Sequence, residues 1–407
     1  LNPSKKIVLE EKVKLEKEVN KHRQQIVDMI SELVAIPTVN PPGQAYKECV
    51  DYLSSKLKSW EIEHRLVRVP GGKQPRFSIV GACGEGKDCL RFHGHYDVVP
   101  AESLEQFKPR LQGEHLYGRG SSDMKGGLVA MLFALRIIKA CDLKAKGKVT
   151  FSIVPDEETG GRLGTQHLME AGLLPQVELG MLMPEPTSGK VWNANKGALT
   201  YRVKTKGKYA HVGLEHEGIN AFEHMVEVAH SLLELKKDIQ KRKTPLAVDA
   251  PGANLSVILI GGESGSGINF NVVPDRAFFT IDRRINPEEK LDEAKKELME
   301  IFNKHERKGI KFKIDLLQEG ESSAASRESL LASALKQSII DLTGKNPSFE
   351  LCPGLCEIRF FNNRGIPAYA YGPGLLEVSH GPEEYVSLRD ILSCTTVYAL
   401  TAVRLLS

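Results

Sequence analysis

The sequence predicts an α/β fold carrying a smaller α+β domain inserted into it. Short apolar runs alternate with helical stretches up to about residue 195, the texture changes to half-solvated alternation between about 198 and 318, and α/β texture resumes after Ser322. At 407 residues the chain also exceeds the usual size of a single core, which favours two domains or one domain with an insertion.

The elements follow in order. The run before Val27 is rich in Lys and Glu and reads as a solvated helix, unlike a signal peptide. Ile26, Met29, Ile30, Leu33 and Val34 recur at helical spacing, the pattern stops at Pro37, and Asn40-Pro41-Pro42-Gly43 makes a turn. Val149–Val154 and Leu179–Met183 read as strands buried on both faces. Ahead of both, after Gly126-Gly127, Leu128 to Ala140 is apolar nearly all round, so that helix belongs in the core.

In the middle of the chain Leu199, Tyr201 and Val203 alternate with polar residues, as do Phe312, Ile314 and Leu316. Between those strands come a helix (Asn220 to Leu235), two strands (Leu255 to Ile260, Ala277 to Ile281) and a helix (Pro287 to Lys304). That β-α-β-β-α-β order is ferredoxin-like, and it divides the chain into 1–197, an inserted 198–318, and 319–407.

Composition excludes several classes of function. Apolar residues make up 41% and charged residues 26%, and Lys+Arg 55 against Asp+Glu 52 leaves a net charge of +3, the profile of a globular protein without a nucleic-acid-binding excess. No apolar stretch reaches the roughly 18 residues a membrane helix needs, so no membrane partner is expected and a cytoplasmic location is. Seven cysteines (Cys49, Cys83, Cys89, Cys141, Cys352, Cys356, Cys394) are an odd, scattered set that argues against a disulfide framework. Cys352 and Cys356 flank a Pro353-Gly354 turn and read as two ordinary thiols.

Chemistry concentrates in five segments. Phe92-His-Gly-His-Tyr-Asp97 ends an apolar strand in His95-x-Asp97, where a histidine can bind metal while the carboxylate orients its ring; a plain hydrogen-bonded histidine is the alternative. Gly118-Arg-Gly-Ser-Ser-Asp123-Met-Lys-Gly-Gly127 sets one carboxylate in a glycine-rich turn before the buried helix. A phosphate-cradling loop of a kinase-like or dehydrogenase-like protein is the rival, but an acid stands at its mouth and neither nucleotide fingerprint is complete.

Val154-Pro-Asp156-Glu157-Glu158-Thr-Gly-Gly161 places three acids at a strand end, an arrangement whose mutual repulsion calls for a cation unless the loop is simply solvated. Met183-Pro-Glu185-Pro-Thr187 and Ser379-His380-Gly-Pro-Glu383-Glu384 each follow a further apolar strand and add a carboxylate and an imidazole. Ligands of open α/β sheets bind beyond the carboxyl ends of strands, which brings four of the five candidates to one rim. Five N/O ligands without cysteine suit two zinc ions sharing one carboxylate, with manganese or cobalt also acceptable.

Taken together, these ordered segments resemble the dinuclear zinc amidohydrolase and metallopeptidase family of acetylornithine deacetylase, succinyl-diaminopimelate desuccinylase, aminoacylase and glutamate carboxypeptidase, from about Leu33 to the C-terminus. The resemblance implies a zinc-exopeptidase-like catalytic domain with an inserted ferredoxin-like dimerisation (lid) domain. By the family pattern His95 and Glu185 bind one metal, Glu158 and His380 the other, and Asp123 bridges them, while Asp97 braces His95 and Glu157 is the general base. The reaction implied is hydrolysis of an amide bond by a hydroxide bridging the metals, on an N-acyl amino acid or, with the same site, on a dipeptide or C-terminal residue.

Further positions carry over one by one. His211, in Ala210-His-Val-Gly, matches a histidine that reaches into the partner subunit's site and steadies the oxyanion, which implies a homodimer through 198–318; an exposed strand-end histidine is the plain reading. Asn271 and Arg284 match substrate-binding positions, Arg284 as a two-pronged carboxylate clamp, and Arg283 is expected to be a solvated strand residue. One departure stands out: Gly354-Leu-Cys-Glu-Ile-Arg359 replaces the common Gly-Gly-Thr-Asp-Ala-Arg of relatives, in a segment that borders their substrate. A non-catalytic relative is the reading from another class, and it conflicts with the presence of all five ligand positions and the base.

Overall fold

The computed structural model describes residues 3–70, 74–140, 147–174, 179–247, 255–267 and 269–406. Contacts divide the chain into two compact units, one of residues 1–193, 325–349 and 360–407, the other of residues 194–324 and 350–359.

The first unit is built on a twisted sheet whose neighbouring strands run Glu63–Val69, Arg76–Gly84, Gly147–Val154, Asp88–His95, Gly180–Met183, Ala368–Ala370. The last four of these pair in parallel, so their carboxyl ends, at Val154, His95, Met183 and Ala370, share one edge. Parallel strands need both faces covered, and Gly180–Met183 is buried throughout while Asp88–His95 is buried from Cys89 onward. The helix Gly126–Ala140 starts on the two glycines and is buried at every residue from Gly126 to Leu135. It packs with Leu388–Leu406 in one core that includes Leu128, Leu132, Val397 and Leu400.

The close approach at the start of that helix decides where a metal-ligand candidate sits. A Cβ on Gly127 would lie 1.9 Å from the carbonyl oxygen of Pro184, the residue before Glu185. Gly127→Ala is therefore expected to push the helix and the Glu185 loop apart and to destabilise the protein by about 1–3 kcal/mol, as overpacking does. Urea denaturation checks this, and an unchanged midpoint would show that the contact yields freely.

The N-terminal run differs from the solvated helix expected. Pro3–Lys21 is helical, but Leu15 and Val19, one turn apart, are buried in the core of the first unit, and Lys12 Nζ donates to the Asp341 carbonyl at 2.6 Å. The turn at Asn40–Gly43 follows the helix Arg23–Ala35. Cys49, Cys83, Cys89, Cys352, Cys356 and Cys394 are buried free thiols, and Cys141 lies outside the described residues. Among the described residues no helix is long and apolar enough to cross a membrane.

In the second unit the order is Gly197–Lys206, helix Ala221–Ile239, Val257–Ile260, Arg276–Ile285, helix Leu291–Arg307, Lys311–Gly320, the ferredoxin-like sequence of elements. The strands pair antiparallel, with Arg276–Ile285 and Gly197–Lys206 central and Val257–Ile260 and Lys311–Gly320 at the edges. Val203, Leu232, Ile281, Leu298 and Phe302 form its core. Asn220 caps the first helix by accepting from the backbone N–H of Phe222 and Glu223.

Two expectations in this unit change. The second helix starts at Leu291, later than Pro287, because Glu289 is drawn away: it accepts from Asn286 N at 3.0 Å and Arg242 at 2.9 Å, and also holds Ser256 and Arg283. Arg283 is consequently buried, at 1% exposure, and not solvated as its strand position suggested. The alternation of strand faces holds, but Arg283 lies on the buried face.

Candidate metal centre and active site

The parallel strand ends supply most of the cluster. His95 is the last residue of Asp88–His95, Glu157 and Glu158 lie in the turn after Val154, and Glu185 follows Met183. His380 does not follow its strand directly: a turn-rich loop separates it from Ala370, and its backbone is left-handed, with φ 65°. Asp123 comes from the glycine-rich turn, where its own φ −118°, ψ 101° interrupts the helical backbone before Gly126.

Two groups of donor atoms result, His95–Asp123–Glu185 and Asp123–Glu158–His380, each within 4.8 Å of one another. Asp123 belongs to both. Its Oδ1 is 3.4 Å from His95 Nε2 and its Oδ2 is 3.3 Å from His380 Nε2, which is also 3.3 Å from Glu158 Oε2. Glu185 Oε1 stands 3.7 Å from His95 Nε2. Glu157 Oε2, at 4.0 Å from the same nitrogen, lies beside the groups without joining either.

The electrostatics of this cluster ask for cations. Burial opposes charge on His95, but the Asp123 and Asp97 carboxylates and the charge of Glu185 outweigh it and raise its pKa well above 6.5. Asp123 and then Glu158 raise His380 to about 11. Burial, with the charge of Asp123, pushes Glu158 up, while His380 and His95 hold Asp123 down against its own burial. The carboxylates thus stay together by gathering protons, on the two imidazoles and toward Glu158 itself, a task that divalent cations perform better. His95 Nε2 and Glu158 Oε1 are buried and make no hydrogen bond, so both atoms are available as ligands.

Asp97 braces the cluster in two ways, only one of which was expected. His95 Nδ1 lies 3.0 Å from the Asp97 backbone carbonyl and 3.3 Å from its carboxylate, which leaves Nε2 facing the cluster. The same carboxylate accepts the backbone N–H groups of Glu157 and Glu158, both at 3.2 Å, and thereby sets the turn that carries them. Asn40 donates to Asp97 at 2.8 Å and to Thr159 at 2.9 Å. Asp156, left-handed at φ 78°, anchors the turn's far side by accepting from Leu163 N at 2.8 Å.

Asn40, Arg119 and Glu384 escaped the sequence reading as site residues. Each lies in a stretch noted there, but their partners are distant: Arg119 and Glu384, 265 residues apart, form a buried ion pair at 2.6 Å.

The second unit holds the remaining candidates. His211 and Asn271 come together where Ala210–His211 pairs with Val272–Val273 and Val212 N donates to the Asn271 carbonyl at 3.0 Å. His211 is exposed, and its Nδ1 accepts from Gly213 N at 3.0 Å, which leaves Nε2 to carry the proton of the neutral ring. Arg284 is already engaged: Nε and one terminal nitrogen donate to Asp282 at 2.6 and 3.0 Å. A guanidinium has five N–H groups, so its end-on edge remains for a second carboxylate. In the departing segment, Cys356, Glu357 and Arg359 are buried.

Known proteins share both sequence and fold with this chain. A probable succinyl-diaminopimelate desuccinylase of Staphylococcus epidermidis is 25% identical over 399 residues, covering 92% of this chain and 96% of that protein. The fold matches the dipeptidase Dug1p of Saccharomyces cerevisiae with a TM-score of 0.81 at 16% identity, over 97% of this chain and 98% of that one. It matches the metallo-carboxypeptidase Sso-CP2 of Sulfolobus solfataricus with a TM-score of 0.78 at 17% identity, over 94% and 99%. The description of peptidase family M20/M25/M40 fits residues 91–404, and the chain belongs to that family of metal-dependent hydrolases of amide bonds.

Proposed function

We propose that the chain is a two-zinc deacylase that hydrolyses the amide bond of an N-acyl amino acid, of the deacetylase or desuccinylase type. The observation that carries this reading is the pair of ligand groups sharing Asp123, with Glu157 beside them and outside both. His95 and Glu185 would hold one ion, Glu158 and His380 the other, with Asp123 between. The nitrogen and oxygen donors suit zinc, and cobalt or manganese would also be accepted. Cations bound there would polarise the scissile carbonyl and would make water acidic enough to ionise near neutral pH.

The protein's own groups do the rest. Glu157 takes a proton from the attacking water and returns it to the leaving amine nitrogen, with its backbone fixed by Asp97. His211, contributed by the partner subunit, steadies the oxyanion with its Nε2–H, and Asn271 and the open edge of Arg284 hold the carboxylate of the amino acid.

A homodimer through the inserted unit is part of the proposal. Phe222, Val226 and Leu233 expose an apolar stripe on one helix face, at 44%, 48% and 47%. Val257 and Leu259 are exposed on the edge strand, a row of backbone groups open to pairing.

A second reading, exopeptidase action on a dipeptide or C-terminal residue, uses the same groups and is favoured by the folds of Dug1p and Sso-CP2. Metal content measured without chelator, with hydrolysis of acetylornithine, succinyl-diaminopimelate and simple dipeptides before and after stripping, separates the two. About two zinc per chain with metal-dependent deacylation is expected. Cleavage of dipeptides alone would transfer the site to the second reading, and protein with neither metal nor metal-restored activity would overturn both.

A further inference from the structure

We infer that the buried Arg119–Glu384 ion pair is a positioning clamp that holds His380 in register with Asp123, and so governs the second metal site more than the first. The inference rests on the two-metal reading above. Glu384 and Arg119 each grip one ligand segment through the backbone. One Glu384 oxygen accepts from Ser122 N and Asp123 N, both at 3.0 Å, and the other takes Arg119 at 2.6 Å. The second terminal nitrogen of Arg119 donates to the His380 carbonyl at 2.9 Å.

His380 has particular need of such a hold. Its side chain is half exposed and its backbone sits in the left-handed region, which a non-glycine residue occupies only when its surroundings enforce it. Gln106 secures the next two residues by donating to the Gly381 and Pro382 carbonyls at 3.1 Å each. His95, in contrast, is buried at a strand end and braced by Asp97, and Glu185 is wedged behind Gly127 and Gly372. That half meets the pair through Asp123, whose N–H Glu384 accepts, whereas the other half meets it at both Asp123 and His380.

The pair is also a poor device for stability alone. Its exposures are 2% and 1%, and Arg119 Nε is buried without a hydrogen bond. Well-packed apolar groups often replace such a buried pair at little loss, so stability alone does not account for this one. Here both ends terminate on the backbone of metal-ligand candidates.

The test is the double variant Arg119→Met/Glu384→Gln, which removes both charges together and leaves a glutamine of unchanged length facing a shorter, apolar methionine, with Arg119→Lys as a milder companion. Full-length metal-free protein is titrated with Zn2+ by calorimetry and with Co2+ by visible absorption, alongside the melting temperature of the metal-free form. The expected result is a first equivalent bound close to wild-type affinity and a second weakened roughly 10–100-fold, with an altered Co2+ spectrum for the second only. The lysine variant should fall between. Two equivalents at wild-type affinity, or an equal loss of both accompanied by a fall in melting temperature, would overturn the clamp. Wild-type protein that binds fewer than two equivalents would remove the two-metal reading first, and this inference with it.

Discussion

Glu157→Gln is expected to lower kcat by about 10²- to 10⁴-fold, the usual contribution of a positioned acid–base group, while two metal equivalents stay bound. The carboxylate stands 4.0 Å from His95 Nε2, beside the cluster yet outside both groups of ligand atoms. Glutamine has the same shape and the same backbone N–H, so the bond to Asp97 that sets the turn survives. What disappears is the ability to accept a proton from water and deliver it to the departing nitrogen. Kinetics with the preferred acyl amino acid, together with elemental analysis of the same preparation, checks the prediction. Turnover near wild type would take the base role from Glu157, and loss of metal would make it a ligand.

Local spacing made the site legible and long-range contact hid its supports. His95, Asp123, Glu158, Glu185 and His380 could be picked out because each is an acid or imidazole near a glycine or proline, at the end of an apolar strand, after one or before an apolar helix, a pattern that survives in the linear chain. The β-α-β-β-α-β order was legible for a similar reason, since its strands alternate and its helices are amphipathic. Asp97 was legible only in part: its proximity to His95 lies in the sequence, whereas its hold on Glu157 N and Glu158 N depends on two neighbouring parallel strands ending together. Arg283 was misjudged because strand alternation says that two faces differ and not which one is buried; the decision came from Glu289, six residues on. The start of the following helix shifted through that same glutamate. Leu15 and Val19 were hidden by the Lys and Glu around them, because two apolar residues one turn apart suffice for a narrow buried seam.

Asp123→Ala is expected to have the broadest effect on the metal centre, removing both equivalents, whereas Glu185→Ala should remove one and leave the other. Asp123 presents one oxygen to His95 and the other to His380, at 3.4 and 3.3 Å, and no other residue belongs to both groups of donor atoms. With the bridge gone, the first group keeps only His95 and Glu185 and the second only Glu158 and His380, and two protein ligands fall short of the three that zinc sites with an open position require. After Glu185→Ala the group of Asp123, Glu158 and His380 is untouched. Elemental analysis and Zn2+ calorimetry on the two variants make the comparison, with hydrolysis falling to the assay background in Asp123→Ala. A variant at Asp123 that loses one equivalent and keeps the other would mean that the carboxylate serves a single ion. The geometry argues otherwise: Asp123 departs from helical backbone just before Gly126, and Glu384 holds its N–H, so the side chain is set with its two oxygens facing the two imidazoles.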